Sequence, residues 1–209
     1  MLDRHAAALI RPAIDAVARV LVRAGIGADA LTFTGLALGW NAALAISMQA
    51  PRVGAAAILL SRLFDGLDGA VARQTRPTDR GGFLDISLDF LFYPSIPLAF
   101  AIADPARNAL AAAVLLAAFV GTGTSFLAFA VIAAKRGLAS AAYPDKSFYF
   151  LGGLTEATET LAFFIAMCVW PRHFAPLAYL FAALCALTIV TRIHWGWQAF
   201  RPEAHESKR

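Results

Sequence analysis

Long apolar stretches separated by short polar breaks run through the chain, and six are long enough to cross the roughly 30 Å hydrocarbon layer of a bilayer as helices. They lie near residues 30–50, 53–73, 82–103, 107–134, 149–170 and 174–198. The stretches 30–51 and 108–134 contain no charged residue, so the first and fourth spans are the firmest. The second and third carry aspartates, which is unusual for segments that must enter lipid. The breaks "QAPR", "DPAR" and "PRH" are short and contain proline, and predict tight turns on one side of the membrane. On the other side the connections 74–81 and 135–147 are somewhat longer, and neither has room for a further domain.

Ahead of the first span the pattern changes to a helical period. Arg11, Asp15, Arg19 and Arg23 recur every four residues and form one polar stripe, with Ile10, Ile14, Val17 and Leu21 opposite. This predicts an amphipathic helix lying in the membrane surface, with Pro12 in its first turn or kinking it. The charges also break up the apolar run that a cleavable signal peptide would need. The predicted architecture is an all-α membrane protein with one domain over residues 1–209. Its parts are an interfacial helix over 1–26, a six-helix bundle over 27–200 and a tail over 201–209.

Composition strengthens this reading: 59% of the residues are hydrophobic and only 15% charged, too apolar for an ordinary soluble domain. Counting Lys and Arg on alternate sides of the spans collects Arg4, Arg11, Arg19, Arg23, Arg73, Arg76, Arg80, Lys135, Arg136, Lys146, Arg201, Lys208 and Arg209 on one side. Only Arg52, Arg107 and Arg172 fall on the other. The positive-inside rule places the first side, with both termini, in the cytoplasm of a multi-pass inner (plasma) membrane protein. The net charge of +4 then follows from topology and attraction to anionic lipid, and no pattern of a nucleic-acid module is present. Cys168 and Cys185 fall inside spans and read as small core residues. His194, Trp195 and Trp197 read as an interfacial belt.

The chemistry concentrates in "SRLFDGLDGAVARQTRPTDRGGFLDISLDF", residues 61–90. Asp65 and Asp68 are three apart and Asp85 and Asp89 four apart, so each pair shares a helix face. A hairpin of spans two and three brings those faces together. Carboxylates near hydrocarbon repel one another and cost about 2.5–3.5 kcal/mol each at mid-membrane on translocon scales, so a cation must compensate. Oxygen ligands without His or Cys select a hard divalent ion, Mg²⁺ first and Mn²⁺ or Ca²⁺ otherwise. Four carboxylates suffice to bridge two such ions, an arrangement suited to phosphoryl-type displacement. The competing structural reading pairs the acids with Arg62, Arg73, Arg76 and Arg80. Gly66, Gly69, Ala70 and Ala72 leave one helix surface without bulk for close ligand approach, and Arg73 offers a planar donor fork for phosphate.

Asp65-x-x-Asp68-Gly69-x-x-Ala72-Arg73, seven residues, then Gly81-x-x-x-Asp85-x-x-x-Asp89 resembles the signature of the CDP-alcohol phosphatidyltransferase family. The resemblance covers the surface helix, the six spans and the site, with a seven-residue gap after Arg73 where eight is commoner. It implies transfer of a phosphatidyl group from CDP-diacylglycerol to the hydroxyl of a small polar alcohol, releasing CMP. It further implies that Asp65, Asp68 and Asp85 ligate two Mg²⁺ ions, while Asp89 completes the site and acts as general base. Gly69, Ala72, Arg73, Thr78 and Gly81 would hold the CDP moiety. The stretch "GADALTFTGL" at 27–36 resembles the family's cytidine-side segment, with Asp29 where Asn is usual and Thr32 following. Asp29 reads equally as a helix N-cap. A homodimer is also implied, and Gly121 and Gly123 would permit close helix contact.

The acceptor alcohol is not legible. Lys135, Arg136, Lys146 and Arg192 would suit a phosphorylated acceptor such as glycerol 3-phosphate or inositol phosphate, yet positive-inside topology alone also places cations there. Glu156 and Glu159 would suit an amino alcohol or a polyol. The lysine-rich stretch after span four expected of phosphatidylglycerophosphate synthases is absent. Two other activities fit the acid cluster: a CDP-choline or CDP-ethanolamine:diacylglycerol phosphotransferase, and, from another class, a divalent-cation carrier.

Overall fold

The computed structural model describes residues 2–137 and 157–201. Among them the chain is entirely helical: α1 (Leu2–Arg23), α2 (Ala28–Ser47), α3 (Pro51–Gln74), α4 (Asp79–Ala103), α5 (Pro105–Lys135), α6 (Ala157–Val169) and α7 (Phe174–Ala199), with a single 3₁₀ turn at Pro171–His173. Four helical stretches, Ala28–Ser47, Asp79–Ala103, Pro105–Lys135 and Pro171–Ala199, are long and apolar enough to cross a membrane. Helix α3 is long enough, but its acids and arginines keep it out of that set. The part of the fifth predicted span before residue 157 lies outside the described residues.

Helix boundaries follow local chemistry. Pro51 and Pro105 open α3 and α5 at first-turn positions, where the missing N–H costs nothing. The Asp104 side chain accepts from Arg107 N at 3.3 Å, and the Thr78 side chain from Gly81 N at 3.1 Å, capping α5 and α4. Helix α2 ends through Gln49, whose φ of 62° lets the chain reverse towards α3.

The predicted turns gather at one end of the bundle: Gln49 Nε2 donates to Ala103 O at 3.3 Å, and Arg107 Nη2 to Arg172 O at 3.2 Å. At the opposite end Gln74 Nε2 donates to Asp15 O at 3.0 Å, and Arg136 Nη2 to Phe200 O at 3.1 Å. The acid-bearing segments meet near this second end.

Lipid is as apolar as leucine, so close packing rather than water exclusion holds such helices together. Small residues on α2 and α3 allow close contacts. A Cβ on Gly39 would stand 2.4 Å from Phe92 Cδ2, one on Gly54 2.5 Å from Ile46 Cγ1, and one on Gly35 3.4 Å from Ser61 O. Deeper in the bundle, Phe163 and Phe181 stack with centroids 4.5 Å apart, Phe119 meets Phe181 edge-on at 5.5 Å, and Phe100 stacks on Phe174 at 4.5 Å. Cys168 and Cys185 are both buried in the core, as the sequence predicts. Many large apolar side chains point outward, among them Leu44, Leu60, Leu98, Leu180 and Val190, as a lipid-facing surface requires.

One expectation is corrected. Gly121 and Gly123 serve contacts inside the chain: a Cβ at either would stand 2.5 Å from Ile189 Cδ1 or 2.2 Å from Phe90 Cε1. Their small size is used against α7 and α4, so they carry no argument for a dimer. The apolar stripe of α1 also divides. Ile14 and Leu21 join buried Ala18 against Leu67, Ala70 and Val71 of α3, whereas Ile10 and Val17 remain 53% and 48% exposed.

Candidate active site

Helices α3 and α4 present the acids as their spacing requires. One oxygen from each of Asp65, Asp85 and Asp89 lies within 4.8 Å of the other two. Asp68, one turn along α3, is 6% exposed, and its Oδ2 is buried without a hydrogen-bond partner. Thr32 of α2 lies beside the Asp68 carboxylate. Its hydroxyl donates to Ala28 O at 3.0 Å.

A buried carboxylate oxygen with no donor is expensive, and three further carboxylates nearby add repulsion. Hard oxygen donors in this arrangement fit a divalent cation, which would satisfy the orphaned Asp68 oxygen and offset the repulsion together.

Arg62 meets part of that charge. Its Nη1 donates to Asp89 Oδ1 at 2.7 Å and lies 3.5 Å from Asp65 Oδ1. Its Nη2 donates to Ser61 Oγ at 3.2 Å, and the guanidinium carbon sits 4.0 Å above the Phe92 ring centroid and 5.5 Å from that of Tyr93. The expected alternative of arginine–acid pairing is thus realised by one arginine. Arg80 instead pairs with Asp29, joining the first turns of α4 and α2.

Around the acids, the face of α3 at Gly66 and Gly69 is open, whereas Ala70, expected on the same surface, is fully buried against α1. A Cβ on Gly66 would meet nothing within 4 Å, and one on Gly69 would meet only Arg73 Nη1, at 3.2 Å. Ala72 is half-buried and Arg73 exposed beside this face. Thr78 and Gly81 are held together by the α4 cap. Asp29 is not an N-cap: Gly27 occupies that position, and Asp29 follows in the first turn of α2.

The acceptor candidates scatter. Lys135 is exposed in the last turn of α5, and Glu159 is half-buried in the first turn of α6. Arg136 is engaged with the end of α7, where its Nη2 donates to Phe200 O at 3.1 Å. Arg192 is buried in α7, and its Nη1 donates to Thr122 O at 2.8 Å, which fastens α7 to α5. Lys146 and Glu156 lie outside the described residues. His194 and Trp197 face outward, with Trp197 78% exposed, in keeping with an interfacial position.

Sequence reasoning treated Arg62 only as one of four pairing arginines and missed its particular place. The available signal was its spacing: three residues before Asp65, it shares that acid's helix face.

Known proteins are similar to this chain. The family model described as CDP-alcohol phosphatidyltransferase matches residues 26–193. The chain is 50% identical over 197 residues to "Inner membrane protein YnjF" of Escherichia coli (strain K12), covering 94% of this chain and 96% of that protein. Two crystal structures of Mycobacterium tuberculosis phosphatidylinositol phosphate synthase (PgsA1) share the fold. The one in complex with manganese and citrate has a TM-score of 0.72 at 25% identity, covering 91% of this chain and 93% of that one. The one with CDP-DAG bound has a TM-score of 0.73 at 24% identity, covering 91% and 98%.

Proposed function

Because the chain belongs to the CDP-alcohol phosphatidyltransferase family, a family of membrane transferases of phospholipid biosynthesis, we propose that it transfers a phosphatidyl group from CDP-diacylglycerol to a small polar alcohol. CMP is the leaving group. The observation that carries this reading is the convergence of Asp65, Asp85 and Asp89 beside buried Asp68, whose Oδ2 has no hydrogen-bond partner, next to the open Gly66–Gly69 face.

In this reading Asp65, Asp68 and Asp85 hold two divalent metals, Mg²⁺ or Mn²⁺, and Asp89 completes the site. Bound metal supplies neutralisation of negative charge on the phosphate oxygens. The chain's own residues bind, orient and move the proton. Gly66 and Gly69 admit the diphosphate close to the backbone, and Arg73 reaches it from the edge of that face. The capped Thr78–Gly81 turn, Ala72, Thr32 and Asp29 bound the nucleotide side. Asp89 accepts the acceptor's hydroxyl proton as general base while Arg62 supports its anionic form. The attacking oxygen then bonds to the phosphorus as the bond to CMP breaks.

Helices α2 to α7 form six spans and α1 lies in the interface, with the acid-bearing end in the cytoplasm by the distribution of Lys and Arg. An inner-membrane location agrees with the relative YnjF. The acceptor is a polyol, an amino alcohol or a phosphorylated alcohol, and inositol phosphate is the first to try given the name of the PgsA1 neighbours. Lys135, Lys146, Glu156, Glu159 and Arg192 are the residues to vary for it. The family's homodimer remains part of this proposal and is checked by crosslinking in membranes.

The test supplies purified protein with CDP-diacylglycerol, Mg²⁺ and one alcohol at a time, follows CMP release and identifies the lipid product by mass. Release with one acceptor, abolished in Asp89→Asn with CMP binding retained, is the expected result. No release with any acceptor, combined with turnover of CDP-choline or CDP-ethanolamine with diacylglycerol, would reassign the donor. Metal flux without any nucleotide effect would reassign the chain to a carrier.

A further inference from the structure

We propose that Arg62 is a tethered counter-cation of the acid cluster, a positioning residue that holds Asp89 in place without metal and competes with metal for the cluster's charge. The inference rests on the reading of the acids as a divalent-metal site. It concerns a residue outside the Asp-x-x-Asp-Gly signature.

Both terminal nitrogens of Arg62 and the face of its guanidinium are held. One nitrogen spans Asp89 Oδ1 at 2.7 Å and Asp65 Oδ1 at 3.5 Å, linking α3 to α4. The other reaches Ser61 Oγ at 3.2 Å, and that hydroxyl donates in turn to Gly35 O on α2 at 2.7 Å. Phe92 closes the face of the guanidinium at 4.0 Å, and the side chain is only 14% exposed. A long cationic side chain near a membrane boundary ordinarily extends towards water. This one is turned inward among two aromatic rings and two acids, and its buried Nε has no partner. The arrangement sacrifices one donor to keep a positive charge at the acids.

Two consequences have opposite signs, which makes the inference testable. Without metal, the guanidinium offsets repulsion between Asp65 and Asp89, so deleting it must loosen the α3–α4 contact. With metal, the same positive charge repels the incoming cation, so deleting it must tighten metal binding. A side chain that mattered only for packing would weaken both.

The experiment compares full-length wild-type protein, Arg62→Met and Arg62→Lys in detergent. It reads Mn²⁺ affinity by electron paramagnetic resonance and thermal stability in EDTA and in saturating Mn²⁺. Arg62→Met should bind Mn²⁺ at least about fivefold more tightly. It should melt several degrees lower than wild type in EDTA and regain most of that loss with Mn²⁺, since bound metal replaces the missing charge. Arg62→Lys, which keeps the charge, should resemble wild type in affinity. Equal or weaker Mn²⁺ binding by Arg62→Met would overturn the proposal, as would a stability loss, or a failure to fold, that Mn²⁺ does not repair. Absence of Mn²⁺ binding in wild type would instead overturn the metal-site reading beneath it.

Discussion

Gly39 and Phe92 interlock so closely that a Cβ on the glycine would stand 2.4 Å from the ring's Cδ2. The same ring lies 4.0 Å beneath the Arg62 guanidinium, so the α2–α4 packing contact is also a floor of the acid cluster. One aromatic side chain therefore serves both the fold and the site. Gly39→Val should therefore do two things. It should cost about 1–3 kcal/mol by overpacking, seen as a lower melting temperature in detergent. It should also move Phe92 and change Mn²⁺ affinity, whereas an equally tight substitution at Gly54, which meets Ile46 Cγ1 at 2.5 Å, should affect stability alone.

Asp68 makes a second prediction, because its buried Oδ2 has no partner. Asp68→Asn keeps the shape and removes the charge. In EDTA the variant should be more stable than wild type by about 1 kcal/mol, because the neutral amide no longer repels the other three acids. It should also lose most of its Mn²⁺ affinity. Melting curves with and without Mn²⁺ read both effects, and a variant less stable than wild type in EDTA would show that Asp68 is satisfied by protein alone.

Much of this was legible in the chain, and the boundary of legibility has a physical cause. The predicted apolar segments near 53–73 and 82–103 correspond to the helices α3 at Pro51–Gln74 and α4 at Asp79–Ala103, because proline and a capping threonine fix where they start. Spacings of three and four gathered the acids for the same periodic reason. What periodicity does not carry is the rotation of one helix against another. That rotation, set by contacts such as Gly39 on Phe92, puts Arg62 against Asp89 twenty-seven positions away. It also turns Gly121 and Gly123 into the bundle and directs Arg192 to Thr122 O. The division of the α1 stripe has the same origin, since α3 offers a groove to Ala18 but not to Val17.

Thr78 caps α4 through Gly81 N at 3.1 Å, and this geometry alone predicts a stability effect. Thr78→Ala should cost about 1 kcal/mol and Thr78→Ser almost nothing, since serine caps equally well. If Thr78 also bounds the nucleotide, the alanine variant should show a higher KM for CDP-diacylglycerol that the serine variant restores. Melting temperatures and initial rates on the three proteins separate cap from contact.

Asp29 and Arg80 pair across the first turns of α2 and α4, with the arginine side chain 78% exposed. Such a surface pair contributes at most about 1 kcal/mol. Exchanging the two residues, Asp29→Arg with Arg80→Asp, should leave the melting temperature within a degree or two. A large loss of CDP-diacylglycerol affinity in that double variant would then assign Asp29 or Arg80 to the nucleotide, because stability would have been removed as a cause.

Gly69 offers the sharpest separation of function from fold. It lies inside α3, where glycine costs about 1 kcal/mol relative to alanine, and a Cβ there would meet only the end of the Arg73 side chain, at 3.2 Å. Arg73 is exposed and can shift by the few tenths of an ångström required. Protein packing therefore gives no reason for glycine at this position, and Gly69→Ala should raise the melting temperature or leave it unchanged. If the open face admits a diphosphate against the backbone, the added methyl must push it away from the acids. Binding of CMP and CDP-diacylglycerol should then weaken by about tenfold or more, a loss of at least 1.4 kcal/mol, while Mn²⁺ affinity in the absence of nucleotide stays near wild type. Gly66→Ala, also facing open space, serves as a second probe of the same surface. Wild-type nucleotide affinity in both variants would show that the ligand approaches from elsewhere, and the bare face of α3 would then have to be explained by a partner helix or lipid.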